Sequence, residues 1–130
     1  LDTEKPDRRC VSAQSFTEPK VYQPDKELEV DIGSSANLHC CFYNHKSSLM
    51  NLFVQPNGKK PWIIVKFHKN NGESFYNGFQ KTRFQIKRSS DCFSLTILNI
   101  IQSDEAVYYC ALTSPDIVFG DGTYVKIRGK

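Results

Sequence analysis

No segment of this sequence approaches the run of about 20 apolar residues that a membrane-spanning helix requires. No charged stretch followed by an apolar one opens the chain, as would be typical of a secretory signal. We therefore expect the chain to be a processed or excised piece of an extracellular protein.

Catalytic motifs are also missing. The only histidines are His39, His45 and His68, and no Ser/His/Asp order, pair of catalytic carboxylates or phosphate-binding loop accompanies them. His39 is expected to point outward from a strand, and the other two fall in predicted loops. The sequence thus predicts no enzymatic activity, no catalytic residues and no cofactor.

The basic residues form no continuous stripe. Seventeen Lys and Arg residues against fourteen Asp and Glu residues give a net charge of +3. They are scattered, with short clusters at Lys59-Lys60 and Lys87-Arg88. Nucleic-acid binders usually show a basic stripe interleaved with exposed aromatic residues, so we expect no nucleic-acid partner.

Helical periodicity is absent from every segment of ten or more residues. The chain instead has eight or nine short runs in which apolar and polar residues alternate, separated by turn signals such as Pro56-Asn57-Gly58. Leu28, Val30 and Ile32 share one face of the first run. The pattern predicts an all-β antiparallel sandwich or barrel, and 130 residues suit a single domain. Residues 1–17 are polar and aperiodic, which predicts a flexible leader before a domain over 18–128.

Five cysteines in so short a chain indicate an oxidising compartment. Cys40 and Cys110, seventy residues apart, each lie on an apolar strand face and can meet across the middle of a sandwich. A crosslink of that span stabilises a fold by about 4 kcal/mol in the loop-closure model. Tyr108 fits a tyrosine corner, whose hydroxyl bonds back to the main chain. Gly120 and Gly122, one residue apart in a predicted strand, indicate a bulge.

Several anchors together resemble an immunoglobulin variable-type domain over about residues 18–128. They are Gly33-x-Ser35-x-x-Leu38-x-Cys40, Arg83-Phe84, Leu95-x-Ile97, Asp104-x-Ala106-x-Tyr108-Tyr109-Cys110 and Phe119-Gly120-x-Gly122-Thr123. The resemblance implies two antiparallel sheets with Greek-key topology. One position departs from the pattern: Leu52 stands where these domains normally place a tryptophan against the disulfide. The only tryptophan, Trp62, follows ten residues later, and the sequence leaves open whether its ring fills the core.

A second disulfide is predicted between Cys41 and Cys92. Neighbouring strand residues point to opposite faces, so Cys41 faces outward beside the inward Cys40. Cys92, three residues before the inward Leu95, also faces outward, and the resemblance implies that the two strands are adjacent. A metal site is the alternative, although consecutive strand residues do not converge on one ion. Cys10 is left without an assigned partner.

The same resemblance implies three exposed loops at one end, over about residues 44–49, 68–77 and 112–118, and a salt bridge between Arg83 and Asp104. Loops on a rigid scaffold commonly carry binding, and we expect a protein ligand there. The predicted contact residues are His45, Lys46, Asn71, Ser114, Pro115, Asp116 and Ile117. For the third loop, the alternative is that Leu112 and Val118 simply pack beneath it, with Ile117 exposed.

A further resemblance concerns the positions through which variable domains pair face to face. These positions are occupied by Phe53, Gln55, Pro61, Ile63, Tyr109 and Phe119. Strand parity agrees, because Phe53 and Tyr109 point away from the core if Leu52 and Cys110 point into it. An apolar patch on an outer sheet face favours an interface, so we expect a homodimer or a heterodimer of two variable domains.

Among families of this fold, the stretches "VYQPDKELEVDIGSSANLHC", "GKKPWIIV" and "IQSDEAVYYC" most resemble the novel immune-type receptors of bony fish. That resemblance implies an innate leukocyte receptor on the extracellular face of the plasma membrane, anchored as a type I membrane protein. It also implies a protein ligand on another cell, with histocompatibility-like molecules as one class. The alternative is the variable domain of an adaptive antigen receptor, either a T-cell receptor chain or an immunoglobulin light chain.

Overall fold

The computed structural model describes residues 18–129, so the leader predicted for 1–17 and Cys10 lie outside the described residues. Eleven strands and one short 3-10 helix make up this part of the chain. They are β1 (Lys20–Tyr22), β2 (Glu27–Val30), β3 (Ala36–Tyr43), β4 (Leu49–Pro56), β5 (Trp62–His68), β6 (Glu73–Phe75), β7 (Phe84–Ser89), β8 (Cys92–Ile97), the helix (Gln102–Asp104), β9 (Ala106–Leu112), β10 (Val118–Phe119) and β11 (Thr123–Ile127).

Two sheets pack face to face, with orders β1-β3-β8-β7 and β2-β11-β9-β4-β5-β6, and β10 pairs with β9. The prediction of an all-β variable-type sandwich is confirmed. One pairing differs from the expected antiparallel sheets, because β2 runs parallel to β11. The chain therefore joins the first sheet through β1 and crosses to the second through β2.

Alternation along the strands produces the core. In β3 the side chains of Ala36, Leu38, Cys40 and Phe42 are buried while their intervening neighbours are exposed or half-buried. The inward residues of β8 alternate in the same way. Period-two burial of this kind is what a strand with one face on the core requires.

The strand count and one face assignment were wrong. The three additional strands, β1, β6 and β10, have only two or three residues each and carry no alternation that a sequence pattern could show. Ile32 is 54% exposed instead of sharing the buried face of Val30. The strand ends at Val30, and the chain turns at Gly33, whose φ of 86° lies in the left-handed region.

Leu52 and Trp62 resolve the question of the missing core tryptophan. Leu52 is fully buried and is the register partner of Cys110. Trp62 lies at the start of β5 and is 51% exposed, so its ring does not fill the centre. A register shift between Leu52 and Phe53 instead leaves one extra residue in β5, and both Ile64 and Val65 are fully buried there. The bulge adds aliphatic volume beside the smaller leucine.

Candidate recognition surfaces

Two disulfides tie the strands together. Cys40 of β3 and Cys110 of β9 join the two sheets, with their Cα atoms 6.2 Å apart. Cys41 and Cys92 are direct register partners on β3 and β8 and form a second disulfide, with a Cα separation of 4.0 Å. Both of these cysteines are half-buried on the outer face of their sheet. Within residues 18–129 no three His, Cys, Asp or Glu side chains converge as metal ligands.

Arg83 and Asp104 form an ion pair at the end of the sandwich opposite the predicted loops. Arg83 also donates to the carbonyls of Leu98 (3.0 Å) and Asn99 (3.1 Å), and Asp104 accepts from the amide of Ile101 (2.9 Å). The pair therefore crosslinks the segment after β8 to the helix before β9. Because the arginine is partly exposed, the ion pair itself contributes no more than about 1 kcal/mol.

Tyr108 forms the predicted corner. Its hydroxyl donates to the carbonyl of Asp104 at 2.7 Å, and the residue is 2% exposed. Burial, together with the nearby Asp104 carboxylate, raises the pKa of Tyr108 well above its usual range, while Arg83 lowers it. The phenol therefore stays protonated as a hydrogen-bond donor.

Gln23, between β1 and β2, has a buried side chain that makes four hydrogen bonds, and no sequence pattern indicated this role. Its side-chain oxygen accepts from the amides of Cys110 (3.1 Å) and Gly122 (3.0 Å). Its side-chain nitrogen donates to the carbonyl of Tyr108 (3.0 Å) and to Thr123 Oγ1 (3.3 Å). Between β10 and β11 three residues, Gly120 to Gly122, oppose two residues of β9, which forms the predicted bulge at the start of β11. The Gln23 side chain completes the hydrogen bonding of β9 at this bulge.

The two glycines of "FGDGT" lie where a side chain would overlap neighbouring atoms. A Cβ at Gly120 would overlap Gln23 Oε1, and the Gln23 Cγ and Cδ atoms would lie at 3.1 Å. Gly122 has a φ of 91°, and a Cβ there would lie 2.7 Å from Tyr109 Cε1 and 2.8 Å from Val107 Cγ1. Side chains are excluded at both positions: Gly120 permits the close approach of Gln23, and Gly122 permits the close approach of the chain to the β9 side chains of Val107 and Tyr109.

An apolar patch lies on the outer face of the larger sheet. Phe53 is the register partner of both Tyr109 and Ile63. The ring of Phe119, 54% exposed, contacts the rings of Phe53 (centroids 5.8 Å apart) and Tyr109 (6.2 Å) edge to face. The structure therefore brings these four predicted interface residues together. We call them the aromatic patch.

The other two predicted interface residues border the aromatic patch. Gln55 lies on the same strand and the same face as Phe53, and its side-chain nitrogen donates to the carbonyl of Lys59 at 3.2 Å. Pro61 is exposed in the turn just before β5. Neither side chain is buried by the domain itself.

The third loop leaves β9 and returns at β10. Residues 114–117 are exposed, and Ile117 is 69% exposed. Leu112 is 2% exposed and Val118 packs on the core, so these two residues lie beneath the loop as the alternative held. Asn51, a buried outer-face residue that the sequence analysis missed, supports the loop base by donating to Thr113 Oγ1 at 3.0 Å.

The first and second loops differ in regularity. His45 is half-buried and Lys46 is exposed in the connection between β3 and β4. The segment predicted as the second loop contains strand β6, which pairs with β5, so only residues 69–72 form a turn at this point. Asn71 is exposed in that turn, and its amide donates to the carbonyl of His68 at 3.3 Å. The prediction missed β6 because a three-residue edge strand depends on its neighbour for pairing.

The fold is a variable-type immunoglobulin sandwich. Its defining features are two sheets joined by the Cys40–Cys110 disulfide, a tyrosine corner, a glycine bulge and loops grouped at one end. The immunoglobulin V-set domain model matches residues 23–128, and the chain belongs to this family. Among residues 18–129 no helix is long and apolar enough to cross a membrane.

Several known relatives are variable regions of T-cell receptor alpha chains. The chain is 32% identical over 111 residues to T-cell receptor alpha chain V region RL-5 of Oryctolagus cuniculus, covering 83% of this chain and 81% of the relative. It is 28% identical over 121 residues to the mouse T-cell receptor alpha chain V region PHDS58, covering 92% and 88%. These relatives and the family point to a non-enzymatic immune receptor domain.

Solved structures show the same fold. A chain of a marsupial T cell receptor superposes with a TM-score of 0.79 at 22% identity, covering 87% of this chain and 54% of that one. A second chain comes from a structural study of T cell specificity and activation by the bacterial superantigen toxic shock syndrome toxin-1. Its TM-score is 0.76 at 21% identity, with 85% and 99% covered.

Proposed function

We propose that this domain is the ligand-recognition ectodomain of a leukocyte cell-surface receptor. It binds a protein ligand through its loop end. It pairs with a second V-set domain through the aromatic patch. The observation that supports recognition most directly is the exposed segment 114–117 on a buried, hydrogen-bonded base. A rigid base holds a loop in one conformation, which lowers the entropy lost on binding. One structurally similar chain comes from a study of T cell activation by a bacterial superantigen, which supports a protein as the kind of ligand.

Pairing through the aromatic patch is supported by its composition and position. Phe119 is 54% exposed, and the Phe53 ring packs against it without covering it. Exposed aromatic rings that meet on a sheet face are typical of the central part of protein interfaces. The patch includes no charged side chain, so a second apolar face would bury it without leaving an unpaired charge.

The pairing test is light scattering at micromolar concentration. We expect the wild-type domain to dimerise and Phe53→Arg to be monomeric, because two like charges would face each other across the interface. Ile32→Arg is the matched control, since Ile32 is 54% exposed in the turn after β2 and receives the same charge. A wild-type domain that stays monomeric throughout, or Phe53→Arg that dimerises like the control, contradicts the pairing.

Ligand recognition is tested with a labelled multimer of the domain on panels of cells. Replacement of residues 114–117 by a Gly/Ser tetrapeptide is expected to abolish binding. The same replacement of residues 57–60, an exposed turn between β4 and β5, is the matched control and should leave binding intact. Equal binding by both variants would place the ligand site elsewhere, and no binding to any cell would contradict the recognition role.

Two receptor classes are compatible with this function. The innate assignment, similar to the novel immune-type receptors of bony fish, is supported by the additional Cys41–Cys92 pair and by the sequence stretches noted above. The adaptive assignment, to a T-cell receptor variable domain, is supported by the alpha-chain relatives. The genomic arrangement separates them. If one exon encodes residues 119–128 together with the rest of the domain in all tissues, the receptor belongs to the innate class. If the coding sequence at the junction before Phe119 differs between lymphocyte clones, it belongs to the adaptive class.

A further inference from the structure

A pocket of about 620 Å³ opens between the two sheets at the loop end. Its wall includes His45 and Lys46 of the first loop, Lys69 after β5, and Ser90 and Asp91 of the turn between β7 and β8. The segment 114–117 and the aromatic patch contribute nothing to this lining. The pocket is therefore a separate feature from the protein-binding surfaces proposed above, apart from the first loop and Lys69 of the second.

Aromatic side chains form the floor of the pocket. The Phe93 ring stacks on Phe42 with centroids 5.6 Å apart and lies 4.0 Å from the Phe67 centroid. Each of these three residues is at most 4% exposed, so they are held in place by the core. Met50, half-buried beside them, adds a flexible apolar surface. A molecule that enters therefore contacts Met50 first, above a rigid base of buried aromatic rings.

Positive charge dominates the rim. Lys46, Lys69 and Arg88 line the pocket, and Asp91 is the only carboxylate among its lining residues. Arg88 is engaged, because it donates to the carbonyl of His68 at 2.8 Å and lies 3.9 Å from a Glu73 carboxylate oxygen. Within residues 18–129, neither lysine has a carboxylate within 4.0 Å. The two ammonium groups therefore have charge to offer an anion.

His45 adds a polar group to the same wall. Its Nδ1 atom is buried and has no hydrogen-bond partner among the described residues, while its ring meets Phe42 edge to face at 6.1 Å. A buried polar atom without a partner costs free energy, but this atom has no accessible surface and therefore does not face the open part of the pocket.

From this combination we infer that the pocket binds a small organic anion that has a flat apolar body. The acidic group would lie between Lys46 and Lys69, and the apolar body would rest on Met50, above the aromatic floor. The volume of about 620 Å³ lies within the range of about 300–1,000 Å³ that is usual for small-molecule sites.

The probe for this site is anilinonaphthalene sulfonate, an aromatic anion whose fluorescence rises in apolar surroundings. We expect saturable binding at one site, with amide shifts in the NMR spectrum at residues 44–46 and 90–92. The uncharged phenylnaphthylamine should bind much more weakly. The double variant Lys46→Gln/Lys69→Gln should weaken sulfonate binding by about tenfold (about 1.4 kcal/mol), because each of the two exposed ion pairs that it removes contributes up to about 1 kcal/mol.

Two controls separate this effect from general charge and folding effects. Lys59→Gln/Lys60→Gln removes the same charge at an exposed turn outside the pocket lining and should leave binding within about twofold of wild type. Lys46→Arg/Lys69→Arg should retain binding. Equal affinity for the charged and uncharged probes, equal loss in both glutamine variants, or shifts at Phe53 and Phe119 instead would overturn the inference. Displacement of the sulfonate by an oligoglutamate peptide at lower concentration would assign the site to acidic peptides and would also overturn it.

Discussion

Gln23 provides the most direct test of how the last strands are held. In Gln23→Leu the side-chain volume is similar, but the amides of Cys110 and Gly122 lose the oxygen that accepts from both. Both amides lie in the interior, where water cannot replace the lost partner without opening the bulge. The leucine side chain would also sit against the Tyr108 carbonyl without donating to it.

The size of the effect follows from the two orphaned donors. A buried donor without a partner costs about 1–3 kcal/mol, so the variant should lose about 2–6 kcal/mol of unfolding free energy. The whole stability of a domain of this size is about 5–15 kcal/mol. At about 4 °C per kcal/mol, a loss in that range lowers the melting temperature by roughly 8–24 °C.

The assay is urea unfolding followed by tryptophan fluorescence and circular dichroism. Gln85→Leu makes the same chemical change at an exposed position of β7 and should alter the free energy of unfolding by less than about 0.5 kcal/mol. If Gln23→Leu loses less than about 1 kcal/mol relative to that control, the side chain does not hold the bulge as described.

Three further predictions concern the core and the disulfides. Burial raises the pKa of Tyr108, so its phenol keeps its proton in the folded state after the unfolded chain loses it near pH 10. The free energy of unfolding should therefore fall as the pH rises above about 10, and urea titrations of Tyr108→Phe should show a shallower fall. Replacing Cys41 and Cys92 together by alanine should lower the unfolding free energy by about 2–4 kcal/mol. Non-reducing mass mapping of the wild type tests the pairing itself, and free thiols at both positions would contradict it. Leu52→Trp should destabilise by about 1–3 kcal/mol in calorimetry because the site is already filled, and a gain in stability would show a void there.

Much of the architecture was predictable because long strands carry their burial pattern in the sequence. The alternation around Cys40 and Leu95 identified two strands and the face of each, and the same parity placed Cys41 and Cys92 on the outer face. The aromatic patch followed from the parity of Phe53 relative to Leu52. These inferences needed only the period of a strand and the family's strand order.

The remaining features depend on groups that meet only in the folded chain. Gln23 gave no signal, because a glutamine before a proline is ordinary until the bulge of β11 leaves backbone amides for it to bind. Strand β6 is too short for a pattern, and Trp62 is half exposed at the first position of β5, a boundary that its sequence does not mark. The pocket combines residues from five separate segments, so no local motif could indicate it.

The parallel pairing of β2 with β11 has a mechanical consequence. Glu27 to Val30 lie alongside Tyr124 to Ile127 in register, and both strands run in the same direction. A force that pulls the amino-terminal side of β2 away from the carboxyl-terminal side of β11 slides the two strands along each other. All their hydrogen bonds then share the load and must rupture together, whereas antiparallel edges peel open one bond at a time. We expect this domain to resist stretching between its ends more strongly than its thermal stability alone would suggest.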